Sequence, residues 1–233
     1  YFSNTSWLLG ERILRMGVSL FVGIYIVRYL GPEKYGLLSY TMSFVWIFSA
    51  LLDLGHREII VRELVLYPEQ RNVILGSAIL LRLSGAVFLV SGVAIGLQLV
   101  DNDEQTSLMI VIIALGMAFQ SWELIDYYFQ SQVQSKYTAW AQTVQLIVAS
   151  LIKIYLIIWQ APLIYFAAIF SLEYVITAAL FLLMYKWQVG SFPIRNCNLK
   201  YAKQMLKNSF PLLLTGTAIL IYMKIDQVML KGL

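Results

Sequence analysis

The chain has 233 residues, 60% of them hydrophobic and 13% charged, with a mean hydropathy of +0.72. A soluble domain is about 25% charged and 45–50% apolar, so no single water-facing core can bury this much apolar surface, and lipid must be the solvent. The net charge of +4 is modest, and one cysteine (Cys197) with one histidine (His56) excludes a disulfide framework and a histidine-built metal site.

A membrane-crossing helix needs about 20 mostly apolar residues, and the chain supplies seven such runs. No cleavable signal precedes the first, and the chain, opening on Tyr1, reads as an excerpt. The first run is Ile13–Leu30, ended by Gly31-Pro32. The second is Tyr35–Leu54, ended by Asp53-Leu54-Gly55. The third, Val73–Val100, is longer than a span needs, which implies tilt or a projecting end. The fourth is Leu108–Phe129. The fifth and sixth share the stretch Tyr137–Tyr185, divided at Gln160-Ala161-Pro162 because proline disfavours helix in the residue before it. The seventh is Ser209–Leu230. The runs are continuously apolar rather than alternating, which argues for helices over barrel strands.

Basic residues set the orientation. With the N-terminus inside, eleven Lys and Arg fall on the inner side, three on the outer side, and Arg82, Lys153 and Lys224 fall within spans. The outer loop Gln98–Ser107 holds Asp101, Asp103 and Glu104 and no basic residue, and these read as ordinary surface acids. Two inner loops are long enough for structure. In Arg57–Leu66, Glu58 precedes Arg62 by four residues, a favourable helical pair. In Lys186–Lys207, Leu199, Tyr201, Ala202, Met205 and Leu206 alternate with lysines, which reads either as an amphipathic helix on the anionic inner leaflet or as a solvated loop. The seventh run and the first share a weak likeness, each starting near an Asn-Ser or Asn-Thr and ending in Leu and Gly. It suggests a second copy beginning at span seven.

Arg82, Lys153, Glu173 and Asp226 lie deep in apolar runs. A charge at mid-bilayer costs at least about 2.5–3.5 kcal/mol, so such a residue faces protein or water and marks a path or a site. On the fifth span Thr138, Gln142, Gln145, Ala149 and Lys153 form one polar or small stripe. The fourth shows Gly116, Gln120, Glu123, Tyr127 and Gln130 on one side, and the seventh shows Thr215, Tyr222 and Asp226. Two readings of the fifth-span stripe are open: a water-filled cavity, or a packed interface in which Lys153 pairs with Glu173. Arg15, Arg28 and Lys224, near helix ends, can also reach the surface. Glu123 and Asp126 fit the headgroup level. Gly92 and Gly96 allow close helix approach.

The stretch Asn4–Gly36 resembles the start of Wzx-type polysaccharide flippases, most specifically in Arg28-Tyr29-Leu30-Gly31-Pro32-Glu33 and Tyr35-Gly36. Leu37–Tyr40, Leu54–Leu64 and Lys224–Leu230 are similar to later segments of that family. The resemblance implies an all-α, polytopic bundle of the multidrug/oligosaccharidyl-lipid/polysaccharide (MATE-like) exporter superfamily, built from two six-helix bundles around a cavity. This chain then holds the first bundle (residues 1–190), a cytoplasmic amphipathic linker (191–207) and the first helix of a second, truncated bundle (208–233). The implied function is not enzymatic. It is alternating-access transport of polyprenyl-diphosphate-linked oligosaccharide across the bacterial inner membrane, for cell-surface polysaccharide such as the O-antigen of lipopolysaccharide. The implied partners are the lipid-linked oligosaccharide, the bilayer and the missing half-bundle, with no cofactor, metal or nucleic acid. Candidates for a cationic substrate cavity are Arg28, Arg82, Lys153 and Lys224, with Gln142 and Gln145 from the stripe beside them. Glu173 and Asp226 are candidates for coupling to H+ or Na+. Two alternatives remain: a multidrug exporter of the same superfamily, which would need a more acidic cavity, and a membrane-embedded sugar-polymer enzyme, which would need clustered carboxylates or histidines on a large loop.

Overall fold

The computed structural model describes residues 2–53, 57–190, 192–193 and 196–229, with backbone alone at 2–5, 51, 53, 212–213, 220–221 and 224–229. The described residues are helical, with no strand among them. Helix α1 runs Phe2–Phe48, α2 Ala50–Asp53, α3 Arg57–Leu66, α4 Arg71–Leu99, α5 Glu104–Ala118, α6 Leu124–Ser131, α7 Ser135–Ile158, α8 Leu163–Gln188 and α9 Leu199–Met229. Five helical stretches are long and apolar enough to cross a membrane: Ser6–Phe48, Pro68–Leu99, Glu104–Ser131, Ser135–Ile158 and Leu163–Gln188. The molecule is a polytopic helical membrane bundle. Its large exposed apolar side chains, such as Met16, Phe21, Leu99 and Ile158, sit where lipid replaces water.

The first of these stretches contains the first expected span and the second as far as Phe48; α2 takes up the second span's continuation. Gly31 has φ +72°, which glycine adopts without a Cβ penalty, and Pro32 behind it restarts a helix at a position that needs no N–H donor. Residues on either side of Gly31, at distances that differ by one, line one cleft: Ile26 with Tyr35, and Ser19 with Met42. In a straight helix Ser19 and Met42 would stand about 34 Å apart, so the chain reverses at Gly31. The expected break at Gln160-Ala161-Pro162 is also present. Gln160 has φ +53°, the Ala161 N–H closes back on the Leu156 carbonyl, and α8 begins after Pro162.

These turns gather at one end of the bundle. The Tyr29 hydroxyl donates to the Ala161 carbonyl at 2.9 Å, and the Tyr40 hydroxyl donates to Asn102 Oδ1 at 3.2 Å. Asp103, expected to be an ordinary surface acid, caps α5 by accepting the Thr106 N–H at 3.0 Å. One apolar core lies toward this end, around Leu38, Val45, Leu89, Ile110 and Phe166. A second lies toward the other end, around Ile60, Leu75, Ile125, Phe129, Phe181 and Met205.

Two glycines allow close helix approach. A Cβ on Gly116 would lie 2.5 Å from the Ser171 Cα, so α5 and α8 touch backbone to backbone there. A Cβ on Gly96 would meet the Phe44 and Phe48 rings at 3.0 and 3.1 Å, which gives that half of the Gly92/Gly96 pair a packing role.

The expected fourth span lies within the stretch Glu104–Ser131, where a 3-10 turn, Phe119–Glu123, separates α5 from α6. The expected linker is helical from Leu199 and continues as α9 to Met229, and part of its apolar face docks on the bundle. Ala202 and Met205 are buried in the second core, the Tyr201 hydroxyl donates to Glu63, and the Asn198 N–H donates to Ser77 Oγ at 3.0 Å. Gly76 makes room for this, since a Cβ there would meet the Pro193 carbonyl oxygen at 2.7 Å. A hydrophobic face packed on protein gains burial as one in lipid does.

Candidate functional site

A cleft of about 350 Å3 opens between the two arms of α1, α7 and α8. Helix α7 contributes Gln145, Ala149 and Lys153, four residues apart and so on one face, with Ser150 beside Ala149. The first arm of α1 contributes Arg15, Ser19 and Gly23, the second arm Ser39, and α8 contributes Phe170 and Glu173. The wall is therefore polar at many points, although every helix in it is apolar overall.

The Lys153 ammonium contacts Glu173 Oε1 at 2.5 Å, which joins α7 to α8. Both side chains are part-exposed, at 13% and 23%. Phe170, one turn before Glu173, places its ring under the ammonium at 4.2 Å, a distance for cation–π attraction. Arg15 has its own counter-ion: its Nε donates to Glu11 Oε1 at 2.6 Å, one turn back on α1. Opposite charges at this range in a low-dielectric setting neutralise one another and make the burial tolerable.

The α7 stripe divides. Gln145, Ala149 and Lys153 line the cleft, whereas Gln142 is half-buried and is not part of its wall. Thr138 is buried at the other end, where its hydroxyl donates to Asp126 Oδ1 at 2.6 Å. Gln130 Nε2 donates to Asp126 Oδ2 at 2.7 Å. Asp126 thus sits inside the protein and holds α6 to α7.

Arg82 is not in the cleft. It is 1% exposed and belongs to a different cluster. Its Nη2 donates to the Tyr127 hydroxyl at 2.6 Å, and its Nη1 donates to the Gln120 carbonyl at 3.0 Å. That carbonyl belongs to the 3-10 turn, where it accepts from outside the helical ladder. The Arg82 guanidinium lies 5.0 Å from the Tyr127 ring centroid and the Arg57 guanidinium lies 5.5 Å from it. Arg28 is exposed near the Gly31 turn and makes no part of the cleft wall. The side chains of Lys224 and Asp226 lie outside the described residues, as does His56.

Phe170, in the cleft wall, and Glu11, the partner of Arg15 just outside it, were not singled out by the sequence reading. The i, i+4 spacing of Glu11 and Arg15 was a usable signal; nothing local marks Phe170. Among the described residues no group of three His, Cys, Asp or Glu could hold a metal ion. The arrangement offers charge pairing and hydrogen bonds to a polar ligand.

Residues 2–233 match the model of a family described as polysaccharide biosynthesis protein. No match was found among curated proteins or among solved structures. Because the family model covers nearly the whole chain, the chain belongs to this family, that of Wzx-type polysaccharide flippases and MATE-like exporters, whose members are transporters rather than enzymes.

Proposed function

We propose that this member of the polysaccharide biosynthesis family moves a polyprenyl-diphosphate-linked oligosaccharide across the bacterial inner membrane, with the cleft as part of the headgroup's path. A diphosphate-sugar headgroup cannot enter hydrocarbon unaided, while its polyprenyl tail can remain in lipid. A polar wall set inside apolar helices meets that need, and the observation that carries the reading is the row Gln145, Ser150, Lys153 on α7, facing Arg15 and Ser19 on α1. The cations match the diphosphate, and the glutamine and hydroxyl groups match sugar. Alternating exposure then comes from rocking this bundle against a second one. In the orientation with the N-terminus inside, the Gly31 end is outermost. Lys224 is a further candidate cation for the headgroup's path, and Glu173 or Asp226 couples the cycle to H+ or Na+. Cell-surface polysaccharide, such as O-antigen, is the product served.

The test is deletion of the intact gene followed by measurement of lipid-linked oligosaccharide on the inner leaflet. The expected result is accumulation that the wild-type gene reverses and a Lys153→Met, Gln145→Leu variant does not. Drug sensitivity without accumulation would point to the exporter branch of the superfamily.

A further inference from the structure

Both cations in the cleft wall already hold a carboxylate, and the two pairs differ in kind. Glu11 is buried and sits one turn from Arg15 on the same helix, so its contact survives any movement between helices. Glu173 reaches Lys153 from another helix, is part-exposed, and itself lines the cleft. An anionic ligand entering the cleft therefore meets Glu173 in the position its own oxygens need. In a low-dielectric cleft two anions cannot share one ammonium without strong repulsion.

We infer that Glu173 is an exchangeable internal counter-ion: it occupies Lys153 while the cleft is empty and gives way to an oxyanion of the ligand. This rests on the reading of the cleft as the headgroup's path and adds how that path controls affinity. An unpaired ammonium inside apolar helices is costly, so the empty state needs a partner for Lys153. A bare cation would also hold a diphosphate too long, and a translocation path requires a ligand that can leave as well as enter. Glu173 answers both needs: it neutralises Lys153 between cycles and competes with the ligand during release. The Phe170 ring, 4.2 Å from the ammonium, keeps Lys153 in place while the carboxylate moves aside. Glu173 is thus an affinity-setting residue rather than a ligand contact.

The experiment uses the intact protein in lipid nanodiscs, with inorganic pyrophosphate as the probe and calorimetry as the readout. Glu173→Gln is expected to bind pyrophosphate about 10- to 100-fold more tightly than wild type, a gain of about 1.4–2.8 kcal/mol. It is also expected to transport more slowly. Glu173→Asp, which keeps the charge on a shorter arm, should give a smaller gain, and it carries the test if the glutamine variant does not fold. Lys153→Met should abolish the gain. Tighter binding in Glu173→Gln that depends on Lys153 supports the inference. Unchanged, weaker or absent binding in Glu173→Gln, with Lys153→Met still weakening the wild type, overturns it and leaves the headgroup path standing. Pyrophosphate binding that ignores Lys153→Met overturns both.

Discussion

Lys153 and Arg82 are each a single cation in an apolar helix, yet the bundle uses them in opposite ways. Arg82 is closed off from solvent, where it donates to a phenol and a freed backbone carbonyl and lies within electrostatic reach of the buried Asp126 carboxylate. Lys153 stands in the wall of a cleft, and its partner is a part-exposed carboxylate on a neighbouring helix. The difference lies in access. Acceptors shut inside the bundle make a charge structural, because no ligand can reach them to exchange. A carboxylate in an open cleft leaves the charge available to another anion. An ionisable residue inside a membrane therefore marks function only after its surroundings are known.

The comparison is broken most directly at Arg82. Arg82→Met should destabilise the purified protein by about 3 kcal/mol, since it leaves the Tyr127 hydroxyl and the Gln120 carbonyl without the charged donor. Arg82→Lys should recover little of this, because an ammonium cannot reproduce the fork. Thermal unfolding in detergent reads both. Gly116→Val should cost about 2 kcal/mol by forcing α5 and α8 apart where a Cβ already meets Ser171, and the same assay reads it.

The cleft should behave in the opposite sense. Replacing Lys153 and Glu173 together by Met and Gln should change stability by less than about 1 kcal/mol, because a pair exchanged whole leaves no bare charge. The same double variant should slow transport at least about tenfold, equivalent to about 1.4 kcal/mol of barrier. Loss of folding in this variant, or full transport, would erase the distinction between the two cations.

The smallest effect belongs to the docked linker. Tyr201→Phe should loosen the first turns of α9 by about 1 kcal/mol through loss of the bond to Glu63, read as faster hydrogen exchange there. Burial, and then Glu63, push the Tyr201 hydroxyl above its ordinary 10.0. The folded state thus favours the protonated phenol. Its contribution is complete below the ordinary tyrosine range and is lost as pH rises above it. Exchange in these turns should therefore be insensitive to this group near neutrality and should quicken specifically in strong alkali, and Tyr201→Phe should remove that alkaline step.

Much of the architecture was legible in the chain. The apolar runs, the reversal at Gly31-Pro32 and the break at Gln160-Ala161-Pro162 are local matters of transfer energy and backbone freedom, so sequence determines them. The pairing of Lys153 with Glu173 was also foreseeable, since few residues in neighbouring spans could neutralise one another. Other features were not legible. The 3-10 turn at Phe119–Glu123 has no Pro or Gly to announce it. Gly116 read as part of a polar stripe, and its role appears only when Ser171 is seen against it. Leu199–Leu206 has the pattern of a lipid-facing helix, and a pattern of apolar residues does not specify whether lipid or protein will cover it.

What the sequence alone determined is the solvent: composition and run length require helices in a bilayer, and each span's ends follow from proline, glycine and charge. What only the tertiary structure decided is the meaning of each polar residue within those spans. Helical periodicity places Gln145, Lys153 and Thr138 along one stripe, but contacts between residues far apart in the chain assign the first two to a cleft and the third to a buried bond with Asp126. Likewise, Arg82 and Lys153 were equal anomalies until their partners came into view. The physical reason is that a buried charge takes its energy from the groups within a few ångströms of it, and helix packing brings those groups together from distant parts of the chain.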